Sequence, residues 1–151
     1  MTIPASLEKE HHELRSILER AVEEPGQLGE TARALADKLF PHFRREEEFA
    51  FPPLGLLTIS GMGPATDVDE VIAMTDRLGE EIASMLEDHV QIAKASIAFA
   101  EWAEREGRDD YVAFAEALAD HASMEEEIMY PTALLIGSYL RLRKAEQVRS
   151  S

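Results

Sequence analysis

Apolar residues recur three and four positions apart along four long segments of the chain, which is the spacing of one face of an α-helix. Helix-breaking residues separate the segments: Pro25-Gly26, Pro52-Pro53 and Gly107. The predicted helices run from about Ser6 to Glu24, Leu28 to Ala50, Asp67 to Glu106 and Asp109 to Tyr130. The alternation of apolar and polar residues that marks a β-strand is found nowhere in the sequence, so the fold is predicted to be all-α.

The helix ends and connections predict the architecture. Thr66, three residues before Asp69, has the spacing of a capping box at the start of the third helix, and Gly79 predicts a kink within that helix. After Pro131, a shorter apolar pattern predicts a further short helix. Because most connections are short, we expect an up-down-up-down four-helix bundle. The chain is assigned to a single domain, 1–151, with the bundle core at about 6–130 and a C-terminal helix and tail at about 132–151.

Polar residues interrupt the apolar face of every predicted helix. Each face carries one histidine, and on the second and fourth helices a glutamate follows one turn later on the same face. The stretches HFRREEE and HASMEEE, which begin at His42 and His121, show this pattern as an internal repeat. Two similar helical hairpins are therefore predicted to pack around a pseudo-twofold site. Its six residues are His11, His42, Glu46, His89, His121 and Glu125.

The chemistry of these six residues favours metal ions. A buried carboxylate is costly unless it is paired or binds a cation. Lysine and arginine are missing from the four apolar faces, so the glutamates have no partner of opposite charge there. The four-residue spacing brings His and Glu to the same side, which suits two adjacent metal ions bridged by carboxylates. With nitrogen and oxygen donors and no cysteine in the chain, iron is the first choice and manganese or zinc the second.

Two neighbouring residues are interpreted as outside the site. His12 lies about 100° around the helix from His11, off the apolar face, and is predicted to be exposed. Tyr130 lies more than a turn beyond Glu125. It is assigned to packing at the end of the core, in preference to a hydrogen bond to the site.

The remaining glutamates of the two runs are predicted to lie on the solvated face of their helices. These residues are Glu47, Glu48, Glu126 and Glu127. One alternative is left open, since Glu126 would compete with Glu125 for the site if the fourth helix were rotated.

The charge and composition of the chain narrow the range of binding partners and locations that we expect. The net charge of −15 argues against binding nucleic acid or an anionic membrane through a general electrostatic field. The basic C-terminal stretch, from Arg141 to Arg149, is interpreted as complementing the helix dipole in preference to binding nucleic acid. No apolar run reaches the roughly 18 residues of a membrane span, and the N-terminus lacks the layout of a secretory signal. A cytoplasmic location is therefore the default expectation.

The stretches EHHEL, HFRREEE, EDHVQI and HASMEEEIMYP, in this order, resemble the hemerythrin-like family, or HHE cation-binding domain. The resemblance spans about Leu7 to Pro131. It implies a four-helix bundle with a non-haem, oxo- or hydroxo-bridged di-iron centre, whose bridges would be Glu46 and Glu125. The family's oxygen carriers have a further histidine one turn before the third-helix ligand, where this chain has Met85. The ligands implied by the resemblance are His11, His42, Glu46, His89, His121 and Glu125.

This resemblance implies a di-iron protein that binds or reacts with O₂, peroxide or NO, for sensing or detoxification in preference to oxygen transport. A catalase-like or oxidase-like activity would need only open positions on the metal ions. Whether the protein is an enzyme is left open, because no separate acid-base pair is visible in the sequence. The alternative function is an iron-binding regulatory or storage module without redox catalysis, in which the basic C-terminal segment passes the metal state to a protein partner.

Overall fold

The computed structural model describes residues 2–57 and 67–150, and within these ranges it contains helices and no strand. The prediction of an all-α fold is confirmed. Within the described residues, five α-helices, two short π-helical segments and one 3-10 helix follow one another. Their bounds are α1 Ala5–Val22, α2 Gly26–Arg45, the first π segment Glu46–Ala50, the 3-10 helix Pro52–Leu57, α3 Val68–Arg105, α4 Asp109–Met124, the second π segment Glu125–Met129 and α5 Tyr130–Ser150.

The first hairpin, α1 and α2, forms where the apolar spacing predicts it. The buried residues of α1 are His11, Leu14, Leu18 and Ala21, which step around the helix by three and four positions. The turn between the helices uses Gly26, whose φ of +69° suits a residue without a Cβ. The helical course then continues to Ala50 as predicted, but from Glu46 onward it is π-helical.

The third helix is continuous over 38 residues and runs through Gly79. Its start differs from the prediction: the side chain of Asp67 caps it and accepts a hydrogen bond from the backbone N–H of Glu70 at 3.1 Å. An aspartate three residues before an acidic residue fits the same capping geometry one position later than expected. Thr66 lies outside the described residues. Gly107, with a φ of +67°, follows the end of the helix.

The C-terminal helix differs most from the prediction of a short, separate element. The fourth helix continues through the second π segment into α5, which has 21 residues and reaches Ser150. Pro131 does not break it. The π segment just before Pro131 already interrupts the regular hydrogen bonding of the helix, so the missing N–H of the proline removes little.

The helices pack as a bundle around two large apolar clusters, and a third, smaller cluster consists of Leu56, Val71 and Leu140. Contacts join α1 to α2, α2 to α3, α3 to α4, and α4 back to α1, while α5 packs on α3. The up-down-up-down course of the first four helices stays a prediction. One large cluster contains Leu14, Leu35 and Phe114, and the other contains Phe49 and Met85. When the π segments are counted with α2 and α4, the histidine on the apolar face of each of the first four helices lies between residues that belong to, or pack against, these two large clusters. None of the described helices is both long and apolar enough to cross a membrane.

Candidate metal centre

Six polar side chains converge between the two large apolar clusters. They form two groups of four, and the potential donor atoms within each group lie within 4.8 Å of one another. Both groups contain Glu46 and Glu125. The first group adds His11 and His121, and the second adds His42 and His89. The structure therefore brings together all six residues that the sequence predicts.

Local helix geometry explains how the glutamates reach the histidines. Glu46 follows His42 by four residues, and its Oε1 lies 3.6 Å from Nε2 of that histidine. Glu125 follows His121 in the same way, at 3.3 Å. Contacts to the other two histidines come from across the bundle: the Oε1 of Glu46 lies 3.4 Å from Nε2 of His11, and that of Glu125 lies 3.2 Å from Nε2 of His89.

Burial of the six residues leaves several polar atoms without partners. Among the described residues, Nε2 of both His11 and His121 lack a hydrogen bond, as do Oε1 of Glu46 and Oε2 of Glu125. The six residues are between 0% and 7% exposed. Buried polar groups without partners are rare in native proteins, because each one costs free energy. Donor atoms that point at one another across about 3–4 Å fit a cation placed between them.

The two glutamates titrate differently in the metal-free protein. Burial raises the pKa of Glu125, and the nearby negative charge of Glu46 raises it further. Burial also opposes ionisation of Glu46, but the neighbouring side chains of Glu125, His11 and His42 outweigh it and hold the pKa of Glu46 well below its usual value. Of the two carboxyl groups, Glu46 is therefore the one that ionises more readily. A cation between them would favour ionisation of both.

Three of the histidines favour the protonated form in the metal-free protein. Burial alone would lower the pKa of His121, but the close carboxylate of Glu125 raises it to about 9. The pKa of His89 is raised by the same residue against the same effect of burial. For His42, Glu46 outweighs burial and raises the pKa. A metal ion would compete with these protons for the same nitrogen atoms.

A carboxylate also lies beside the outer nitrogen of every one of the four histidines. Nδ1 of His42 donates to Asp88 at 2.9 Å, and Nδ1 of His89 donates to Glu126 at 2.8 Å. Such partners fix the tautomer, so that Nε2 carries its lone pair toward the centre.

The same contact recurs at the other two histidines. Nδ1 of His11 donates to Glu47 at 3.1 Å. Nδ1 of His121 lies 2.9 Å from Oε1 of Glu10, without the geometry of a hydrogen bond. These four carboxylates, which we call the outer carboxylates, are Glu10, Glu47, Asp88 and Glu126.

Glu48, Glu126 and Glu127 are exposed, as predicted, whereas Glu47 is half-buried. Glu47 and Glu126 each also contact a histidine on a neighbouring helix, which the prediction of a solvated face did not include. Glu125, not Glu126, has its carboxylate among the histidines, so the alternative of a rotated fourth helix is wrong. A signal for the outer carboxylates is present in the sequence: an acidic residue directly precedes His11 and His89, and another directly follows Glu46 and Glu125.

Tyr130 packs in the second apolar cluster, as predicted, but it also makes the hydrogen bond to the site that the prediction did not favour. Its hydroxyl donates a hydrogen bond to Oε2 of Glu46 at 2.6 Å and lies 3.3 Å from Nε2 of both His42 and His89. The π segment causes this placement, because the backbone N–H of Tyr130 bonds to the carbonyl of Glu125, five residues earlier. The residue at the matching position of the first half is Phe51, whose ring centroid lies 4.9 Å from that of His11.

In the group of donors that contains His11 and His121, phenylalanine rings lie beside His11. The ring of Phe43 stacks on His11 with centroids 3.8 Å apart and an angle of 17°. The neighbouring His12 is exposed, as predicted. The two groups therefore differ: a phenol lies beside His42 and His89, whereas phenylalanine rings lie beside His11.

The core of this helical bundle holds histidines and carboxylates in two groups that share both glutamates. This architecture is that of a cation-binding helical protein. The chain belongs to the hemerythrin family, since the family model described as the hemerythrin HHE cation-binding domain matches residues 2–133. No curated protein and no solved structure matches the chain.

Proposed function

We propose that the six residues bind two metal ions. His11 and His121 would hold one ion, His42 and His89 would hold the other, and the carboxylates of Glu46 and Glu125 would serve both. The observation that carries this proposal is that the two groups of four donors share both glutamates. Because both glutamates belong to both groups, each divalent ion would have two carboxylates beside it, which offsets the repulsion between two adjacent cations.

The donor set favours iron over other metals. Each position offers two imidazole nitrogens and carboxylate oxygens without thiolate, which suits iron and, less well, manganese or zinc. Four protein donors would leave positions open on a six-coordinate ion. Iron bound there would supply a change between ferrous and ferric states and a place for a small exogenous ligand. We infer that this ligand is O₂, peroxide or NO, for sensing or detoxification.

The residues of the chain around the donors have separate tasks in this function. Three of the outer carboxylates accept a hydrogen bond from Nδ1–H of their histidines, and so hold these imidazoles in the tautomer that presents Nε2 to the centre. The hydroxyl of Tyr130 fixes one oxygen of Glu46, leaving the other oxygen free to face the two nearest histidines. The rings of Phe43 and Phe51 keep water away from His11. Met85 is fully buried where the family's oxygen carriers would have another histidine, which fits a role other than oxygen transport.

A second function, an iron-responsive regulatory or storage module, is favoured by the burial of the site. Six ionisable groups occupy one layer of the core between two apolar clusters. A metal ion that binds only the folded chain stabilises it by mass action. Loss of metal would therefore loosen the bundle, and a partner could detect that change.

The test is to measure metal content per chain and the absorption spectrum before and after peroxide, on protein purified without a metal-binding tag or chelator. About two irons per chain with bands that respond to peroxide supports a redox-active di-iron centre. Two irons with a large thermal shift but no response to peroxide, O₂ or NO supports the regulatory or storage function. Metal content that is unchanged in the Glu125→Ala variant would contradict both.

A further inference from the structure

The internal repeat allows the two hairpins to be compared position by position, and they differ in how the space beside one histidine is filled. A cavity of about 360 Å³ lies between α3 and α4. His89 forms the end nearest the candidate metal centre, and small side chains form much of the rest of the wall. We call this the α3–α4 cavity, and its small residues are Ala93, Ala100, Ala115, Ala119 and Ala122.

The matching place in the first hairpin is filled. When His11 is aligned with His89 and His42 with His121, three of the cavity alanines match three large residues. The pairs are Ala93 with Arg15, Ala119 with Phe40 and Ala122 with Phe43. In the first hairpin the ring of Phe43 covers His11, and the guanidinium of Arg15 lies 5.6 Å from the centroid of that ring and 6.0 Å from that of Phe40.

Where alanines take the place of the large residues, the histidine is slightly more exposed. His89 is 7% exposed, whereas His11 is 1% exposed beneath Phe43. Proteins normally pack to high density, and large side chains fill the matching place of the first hairpin, whereas the α3–α4 cavity leaves space beside a histidine of the centre. The side chain of Ile97, which also lines the cavity, is 60% exposed. The cavity is therefore open to a ligand from the surface.

The lining defines the chemistry of that ligand. Among the described residues that line the cavity, most are aliphatic, and Glu116 is the only one with a full charge at neutral pH apart from the titrating His89. A carboxylate at the wall and a net charge of −15 disfavour an anion. The volume suits a ligand of about ten non-hydrogen atoms, since a cavity of about 150 Å³ accommodates benzene.

We propose that the α3–α4 cavity binds an uncharged aliphatic molecule of about ten non-hydrogen atoms, with one end against the imidazole of His89. Binding itself does not need the metal. The position of the ligand beside the metal ions rests on the proposed function. The hairpin of α3 and α4, not that of α1 and α2, is then the side on which an organic ligand meets the centre.

The experiment uses 1-nonanol as the probe and nonanoate as its charged counterpart, with zinc-loaded and metal-free protein. Calorimetric titration should give saturable binding of 1-nonanol and weaker binding of nonanoate. Ala119→Phe installs the residue found in the first hairpin and should weaken binding by about tenfold or more, the effect of displacing two methylene groups. Ala117→Phe adds the same ring at an exposed position outside the cavity lining and should leave binding unchanged.

Ala93→Arg provides a second block from α3, should Ala119→Phe fail to fold. An absence of saturable binding, or equal binding by the Ala119→Phe and Ala117→Phe variants, would overturn the proposal. So would a concentration-dependent dimer that only the cavity variants disrupt, because the cavity would then be an interface between two copies of the chain. Failure of zinc to bind while 1-nonanol still binds would contradict the proposed function and leave the cavity site intact.

Discussion

The hydroxyl of Tyr130 donates a hydrogen bond to Glu46 across 2.6 Å, although the two residues come from different halves of the internal repeat. Tyr130 follows Glu125 by five positions. In a regular α-helix that spacing would rotate the phenol about 140° away from the glutamate. The π segment brings residues five apart onto one side, so the same backbone feature that begins at Glu125 also directs Tyr130 into the site.

Replacing Tyr130 with phenylalanine should destabilise the metal-free protein without abolishing metal binding. Loss of a buried hydrogen bond to a charged carboxylate is expected to lower the free energy of unfolding by about 2 kcal/mol. Urea denaturation in the presence of a chelator measures this change. Tyr139→Phe is the control, because its hydroxyl is exposed and accepts a hydrogen bond from Arg143 at the surface. Equal stability of the two variants would show that the bond to Glu46 contributes little.

Among the outer carboxylates, Glu126 offers the cleanest test of their role. Glu126→Gln keeps the size of the side chain but removes the charge that the Nδ1–H of His89 contacts at 2.8 Å. Metal affinity should fall by about 10-fold to 100-fold, as it does when partners of metal-bound histidines are removed. Competition with a chromophoric chelator gives the affinity. The matched control is Glu127→Gln, which removes the same charge from an adjacent, exposed residue. A similar loss of metal affinity in both variants would show a general effect of charge and not a role of the contact with His89.

The six central residues could be predicted from the sequence because regular helical spacing puts them on four apolar faces. The outer carboxylates could not be assigned in the same way. Glu47 and Glu126 each lie one position, or about 100°, beyond a central glutamate, so their own helices direct them toward solvent. Only the neighbouring helix brings a histidine to them. That proximity depends on how the helices pack, which periodicity along one helix does not determine.

Helix positions were predicted better than helix ends. The long third helix agrees with its predicted range within one residue at each end, because its apolar pattern is uninterrupted over ten turns. The fourth helix was expected to end at Tyr130 because a proline follows it. The π segment Glu125–Met129 was not recognised, since its sequence consists of ordinary helix-forming residues. Once it is present, helix α5 can continue through Pro131.

Metal stoichiometry should separate residues that serve one ion from those that serve both. His11→Ala removes a donor from the first group alone, so the variant should keep about one of two ions. Glu46→Ala removes a donor from both groups and should lose both ions or bind them far more weakly. His12→Ala, which alters an exposed neighbour, should keep both. Metal analysis of each purified variant decides, and an equal loss from the His11 and Glu46 variants would contradict the shared role of the glutamates.

As pH rises, the stability of the metal-free protein should fall, whereas the stabilisation that bound metal adds should grow. Glu125 raises the pKa of His121 to about 9 in the folded, metal-free protein, against an unfolded value of about 6.5. A raised pKa in a histidine stabilises the fold fully below the unfolded pKa, and this stabilisation is lost as pH rises through the folded one. The raised pKa values of His42, His89 and Glu125 act in the same direction. The lowered pKa of Glu46 acts oppositely, but only in acid.

The metal-free protein should therefore unfold at progressively lower temperature as pH rises from about 6.5 to 9. Zinc-loaded protein should show a growing thermal shift over the same interval, because fewer protons compete for the imidazole nitrogens. Differential scanning calorimetry with chelator, and separately with zinc, measures both trends. The His121→Gln variant should reduce the slope of the metal-free protein, whereas His12→Gln should preserve it. A metal-free protein that becomes more stable between pH 6.5 and 9 would show that the buried histidines are neutral before metal binds.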